Sequence, residues 1–168
     1  MKIFLIGFMG SGKTYWGRLL SQKLSIPFFD LDEQVAEQAG KSIVDIFATE
    51  GEEYFRTLEK DVLYEITEKN ESFVMACGGG SPCYFNNIDY MSQAGTTVWI
   101  NTDFETLLKR LIGEKDNRPL IKGLSDDQLR IYITRKFADR KIYYEQAELV
   151  IDEEPVQLDK LVEKIFHA

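Results

Sequence analysis

Histidine is almost missing from this chain, and positive charge is in deficit. The only histidine, His167, stands next to the C-terminus, away from every motif below, and is given no chemical role. The two cysteines, Cys77 and Cys83, have no His or Cys neighbours at metal-ligand spacing, which argues against a zinc-type site. Reduced thiols in a cytoplasmic protein are the simplest reading. No apolar run approaches the roughly 20 residues that span a bilayer. One Lys and five apolar residues precede Gly7, too short a stretch for a signal peptide. Lys and Arg number 20 against 28 Asp and Glu, a net charge of −8. Nucleic-acid binders displace counterions with a basic surface, so the balance argues against that class. It leaves room for a local basic pocket that takes a small anion. Internal repeats, low-complexity tracts and linkers are absent as well.

What is present reads as one domain over residues 1–168, long enough to bury a single core. Residues 2–6 form a continuous apolar run, as in a strand buried on both faces of a parallel sheet. Tyr15, Trp16, Leu19, Leu20 and Leu24 then recur at helical spacing. Further strands are expected at 27–32 ("PFFDLD"), 72–77 ("SFVMAC"), 95–100 ("GTTVWI") and 147–152 ("AELVID"). Residues 33–69 read as mostly helical, with capping boxes at Ser42/Asp45 and Thr49/Glu52. Thr102 with Glu105, and Ser125 with Gln128, are expected to cap two more helices, and residues 155–166 to form the last. Residues 113–124 lack periodicity and read as a loop. Strands alternating with helices predict an α/β fold: a five-stranded parallel sheet with helices on both faces.

The stretch from Gly7 to Thr14, "GFMGSGKT", matches G-x-x-x-x-G-K-[ST]. Its glycines let the backbone turn successive N–H groups inward onto phosphate oxygens, and the helix that follows adds the positive end of its dipole. Lys13 can reach the outer phosphates of a nucleoside triphosphate, and the Thr14 hydroxyl can ligate Mg²⁺. Gly10, Ser11, Gly12, Lys13, Thr14 and the adjoining Tyr15 form the expected ATP-binding set.

In open α/β sheets ligands bind beyond the carboxyl ends of the strands. Asp30 and Asp32 lie there, on one side of an expected extended segment. One could serve the Mg²⁺ environment while the other orients or deprotonates an acceptor hydroxyl; one could instead cap the next helix. Gly78, Gly79 and Gly80 end the third strand, where three glycines make sense if backbone must approach a ligand closely. Arg118, in the aperiodic loop, suits a charge-stabilising lid. Arg56 and Arg140 read by periodicity alone as solvated helix residues. Cys77 reads as a small core hydrophobe.

"GFMGSGKTYWGRLLSQKL", "FFDLDEQ", "IFATEGEEYFRTLE", "CGGGSP", "RPL" and "DRKIYYEQAELVID" occur in this order. Together they resemble bacterial shikimate kinase over essentially the whole chain. The resemblance implies ATP-dependent phosphorylation of the 3-hydroxyl of shikimate, a step of aromatic amino-acid synthesis. It also implies a three-layer P-loop kinase fold, with a substrate-binding helical segment at about 32–60 and a mobile lid at about 113–124. Asp32, Arg56, Gly79 and Arg140 would contact shikimate, Lys13, Asp32 and Arg118 would act in catalysis, and Arg118 and Gln157 would contact ATP. Thr14 and Asp30 would serve the magnesium, which is the implied cofactor. Shikimate and ATP would be the partners of a monomeric chain, with neither nucleic acid nor membrane. Alternatives are a small P-loop kinase for another hydroxylated acid such as gluconate, or for a nucleoside monophosphate, and a nucleotide-binding regulator without activity.

Overall fold

The computed structural model describes residues 1–118, 120–152 and 156–167. Five parallel strands form one sheet: β1 (Lys2–Ile6), β2 (Phe28–Asp30), β3 (Phe73–Ala76), β4 (Thr96–Ile100) and β5 (Leu149–Ile151). Their order is β2-β3-β1-β4-β5, which puts β1 and the loop after it at the centre. The described residues form eight helices that cover the sheet: α1 (Lys13–Leu24), α2 (Leu31–Ala39), α3 (Ile43–Glu50), α4 (Glu52–Lys69), α5 (Asn87–Ala94), α6 (Phe104–Ile112), α7 (Asp126–Tyr144) and α8 (Leu158–Phe166). Among the described residues, no helix is long and apolar enough to cross a membrane.

The strand period of two divides the core. In β1, Ile3 and Leu5 join Leu20 of α1 and Leu161 and Ile165 of α8 on one face. Phe4 and Ile6 join Val62, Leu63 and Ile66 of α4 and Leu129 and Ile133 of α7 on the other. Both faces are covered, so β1 beyond Lys2 and the whole of β3 are apolar rather than alternating.

Several local expectations are corrected. The strand expected at 27–32 stops at Asp30, and Leu31 already opens α2. Asp30 and Asp32 therefore do not share an extended segment; Asp30 is the N-cap of α2, accepting from the Glu33 N–H, and Asp32 lies in its first turn. The Thr49/Glu52 box does not form. Thr49 sits inside α3 and donates its hydroxyl to the Asp45 carbonyl, while α4 starts from Gly51 at φ 86° without a side-chain cap. At α6 the cap is Asp103 rather than Thr102; the Thr102 hydroxyl reaches the Ser11 carbonyl instead. Ser42 caps α3 as read, and Ser125 and Gln128 close a full capping box on α7. Residues 81–94, given no element from sequence, form a 3₁₀ turn at Ser81–Cys83 and then α5. The expected loop at 113–124 holds a 3₁₀ turn at Lys115–Asn117, and its Pro119 lies outside the described residues. The last helix starts at Leu158, three residues later than expected, and Pro155 also lies outside the described residues.

Candidate active site

The loop from Gly7 to Thr14 leaves β1 and enters α1 at the carboxyl edge of the sheet. Gly10 and Gly12 adopt φ 82° and 91°, which glycine reaches without a Cβ penalty. Lys13 is 9% exposed, and its ammonium donates to the carbonyls of Gly7 (2.7 Å) and Phe8 (3.0 Å). Burial, and then the Arg118 guanidinium, push its pKa down to about 8. The Thr14 hydroxyl donates to Asp30 Oδ2 at 2.8 Å, so Asp30 both caps α2 and partners the loop. Tyr15 stands at the rim, packed edge-on against Trp16. Ser11 is buried, and its Oγ has no hydrogen-bond partner among the described residues.

A cleft of about 710 Å³ opens beside this loop, and Gly10, Gly12, Lys13, Thr14, Tyr15, Asp30, Asp32, Arg56, Gly79, Arg118 and Arg140 all line it. Sequence distance is no guide here. Ser11 does not line the cleft, and neither does Gln157, which stands at the N-cap position of α8 without a side-chain cap bond.

Asp32 is the electrostatic hub. Burial, then the carboxylates of Glu59 and Asp30, push its pKa up to about 6, against the pull of Lys13 and Arg56. A carboxylate poised near neutrality suits a group that must take a hydrogen bond from, or a proton off, a reacting hydroxyl.

Arg56 and Arg140 are each 5% exposed, not solvated. Arg56 pairs with Glu59 at 3.0 Å inside α4, and the Ser81 hydroxyl donates to the other Glu59 oxygen at 2.7 Å. Burial pushes the Glu59 carboxyl up, while Arg56 and Ser81 hold it down. Removing these charges from water is costly, and the close pairing and the Ser81 hydrogen bond offset that cost. Arg140 packs over the Phe8 ring, and its Nη1 is buried without a hydrogen-bond partner among the described residues. One turn later on α7, the Tyr144 hydroxyl donates to the Gly79 carbonyl at 2.6 Å, so a single helix supplies a cation and pins the glycine triplet. The glycines are needed for closeness. A Cβ on Gly78 would stand 3.0 Å from Asp32 Oδ1, and one on Gly79 would stand 3.0 Å from Arg140 Nη1.

Arg118 also lines the cleft, with Nε and Nη2 each 2.8 Å from Glu114 Oε2. Three charged lining residues went unread in the sequence. Glu59 stands at i+3 from Arg56 on one helix, a spacing that flags a pair. Glu114 stands at i−4 from Arg118, but the segment reads as loop. Arg110 of α6 donates to the Gly10 carbonyl at 2.9 Å, a contact across a hundred positions of chain that no local pattern announces.

Comparison with known proteins agrees with this architecture. The family model for shikimate kinase matches residues 9–168. The chain is 40% identical to a shikimate kinase of Azobacteroides pseudotrichonymphae, over 98% of this chain and 97% of that protein. It is 41% identical to one of Bacteroides fragilis, over 89% and 83%. A crystal structure of shikimate kinase from Bacteroides thetaiotaomicron superposes with a TM-score of 0.90 at 35% identity, over 99% of this chain and 97% of that one. Another, from Acinetobacter baumannii in complex with shikimate, gives 0.86 at 34% identity, over 99% and 90%. A central phosphate loop, a buried arginine pair and a match this long across both chains lead to one conclusion: the chain belongs to the shikimate kinase family.

Proposed function

We propose that this chain transfers the γ-phosphoryl group of ATP to the 3-hydroxyl of shikimate, giving shikimate 3-phosphate and ADP. The observation that carries this reading is the sharing of one cleft by the phosphate loop, Asp32 and two buried arginines. Two buried guanidiniums suit the single carboxylate of a small acceptor, whereas a nucleoside monophosphate would want a base pocket and further arginines for its phosphate.

In this reading the backbone N–H groups of residues 10–14 and the start of α1 hold the phosphates. Lys13 leaves the Gly7 and Phe8 carbonyls for the outer phosphates and offsets charge that develops there. Arg56 and Arg140 hold the acceptor's carboxylate beside Gly79. Asp32 accepts a hydrogen bond from the 3-hydroxyl and aligns its oxygen with phosphorus. Alignment outweighs early proton abstraction, because the transition state is loose and the hydroxyl keeps its proton until late. Thr14 Oγ1 and Asp30 Oδ2, 2.8 Å apart, are hard oxygen donors of the kind Mg²⁺ takes beside a nucleotide. Bound there, the ion neutralises phosphate charge.

Residues 32–60 form the acceptor side in this proposal, bringing Asp32, Arg56 and Glu59 together with the apolar Phe47 and Phe55. Residues 113–124 form a lid that closes over ATP and brings Arg118 from Glu114 onto the phosphates. Hydrogen exchange of that segment should then slow with an ATP analogue and shikimate together; equal rates in the free and ternary states would make it a static loop. The activity itself is tested by a coupled assay with ATP, Mg²⁺ and a panel of shikimate, gluconate and nucleoside monophosphates. Turnover of shikimate alone is expected. Preference for another member of the panel would overturn the assignment.

A further inference from the structure

Arg56 is gripped from outside the cleft as well as from within. Glu59 holds Nη1 at 3.0 Å. Behind it, the Tyr84 ring lies 4.3 Å below the guanidinium carbon, and Phe55 lies 5.1 Å away. The Tyr84 hydroxyl donates to Glu52 Oε1 at 3.1 Å, and that same oxygen stands 3.5 Å from Arg56 Nε. Ring and carboxylate thus belong to one closed unit, Arg56–Glu52–Tyr84. Tyr84 follows the 3₁₀ turn after the glycine triplet, whereas Glu52 opens α4. The unit therefore ties the backbone that lines the cleft to the helix that carries Arg56. Neither Tyr84 nor Glu52 lines the cleft.

We infer that Tyr84, backed by Glu52, is a positioning residue that holds the Arg56 guanidinium in the plane and place required to receive the acceptor's carboxylate. The inference rests on the proposed role of Arg56. Its physical basis is that an arginine side chain has several freely turning bonds, and recognition of a planar carboxylate tolerates little tilt. Glu59 fixes one nitrogen and leaves rotation about that contact open. A ring stacked on the face removes this freedom and adds cation–π attraction, while the Glu52 carboxylate keeps the ring from swinging away. Tyr84 touches no substrate and changes no charge at the reacting centre. It acts on acceptor affinity alone.

Tyr84→Leu keeps apolar bulk and removes the stacked face. Calorimetry on the full chain, titrated with shikimate, should show Kd for shikimate raised by about tenfold, as expected for a partly desolvated cation–π contact. Affinity for an ATP analogue and kcat at saturating shikimate should stay within about twofold. Tyr84→Phe should recover most of the loss, because the face returns while the bond to Glu52 does not. Glu52→Gln leaves the ring in place and weakens its tether, and should raise the shikimate Kd by a smaller factor; it keeps the test open should Tyr84→Leu fold poorly. Arg56→Lys is the control. If Arg56→Lys weakens shikimate binding while Tyr84→Leu and Glu52→Gln, both folded, bind it as the parent does, the positioning role is refuted. If Arg56→Lys itself binds shikimate normally, the reading of Arg56 fails and this inference falls with it.

Discussion

Alanine at Gly80 should damage substrate binding through a single methyl group. Gly80 has φ −93° and ψ −8°, a conformation open to any residue, so backbone strain plays no part. Alanine also restricts the unfolded chain, a gain of about 0.4–1 kcal/mol. Its Cβ, however, would stand 2.5 Å from Arg56 Nη2 and 2.8 Å from Cζ and Nη1. Relaxed contacts begin near ~3.5 Å, so the guanidinium has to retreat by roughly 1 Å. An exposed arginine would swing aside at little cost. Arg56 is buried, held by Glu59 at 3.0 Å and faced by Tyr84 at 4.3 Å. Retreat stretches the Glu59 bond, and a charge-assisted bond is worth about 1.5–3 kcal/mol. The unfolded-state gain offsets part of this, leaving a loss of fold stability of about 1–2 kcal/mol. The acceptor's carboxylate meets a displaced guanidinium and loses a contact of the same kind, about 10- to 100-fold in Kd. Calorimetry with shikimate and with an ATP analogue, beside thermal unfolding, reads all three quantities. Nucleotide affinity should not change. Shikimate affinity within about twofold of the parent would refute the reasoning, because it would mean that Arg56 either moves freely or does not touch the acceptor.

Asp32→Asn should give a more stable protein that hardly turns over. The folded-state pKa of about 6 lies above the ordinary 3.8, so Asp32 favours folding most at low pH, and that contribution is lost as pH rises through about 6. Above this the parent carries a desolvated charge that the amide lacks, so Asp32→Asn should melt higher than the parent at pH 7.5 and not at pH 4. Its kcat should fall by ~10²-fold or more, and the parent's acid limb near pH 6 should disappear from the profile of kcat/KM, which reports groups of the free enzyme; a lower melting point at pH 7.5 with normal turnover would contradict both. Lys13, pushed down to about 8, should be partly neutral at pH 8 and fully charged against phosphates. ATP binding at that pH should take up about half a proton, measured as heat that varies with buffer ionisation enthalpy, and Lys13→Ala should abolish the dependence. No buffer dependence in the parent would return Lys13 to an ordinary charged state in the free protein.

Sequence alone determined what depends on near neighbours along the chain. The phosphate loop is legible because its glycines, Lys13 and Thr14 must be contiguous to wrap one phosphate chain. The parallel sheet is legible because strands buried on both faces are apolar without alternation, as in β1 and β3. The Ser125/Gln128 box is legible because both of its partners lie within one helical turn. Helix α5 left no such signal: it starts from Asn86 at φ 55° with no side-chain cap. Thr49 and Glu52 carry the letters of a capping box, yet Gly51 between them ends α3 and starts α4, and the Thr49 hydroxyl is spent on a carbonyl within α3.

Only the tertiary structure decided which charges matter. By periodicity Arg56 and Arg140 belong on solvated helix faces, and burial of a cation is a property of whatever packs over it. Glu59, Phe8 and the glycine triplet, brought together from β1, α4, β3 and α7, convert two surface-type residues into the basic floor of a cleft in a protein of net charge −8. The same holds for Asp32. Its residue type and place near a strand end can be read from the chain, but its proton affinity is set by burial and by carboxylates from a different helix. Electrostatics acts through space, and along this chain the members of the site are separated by more than a hundred residues.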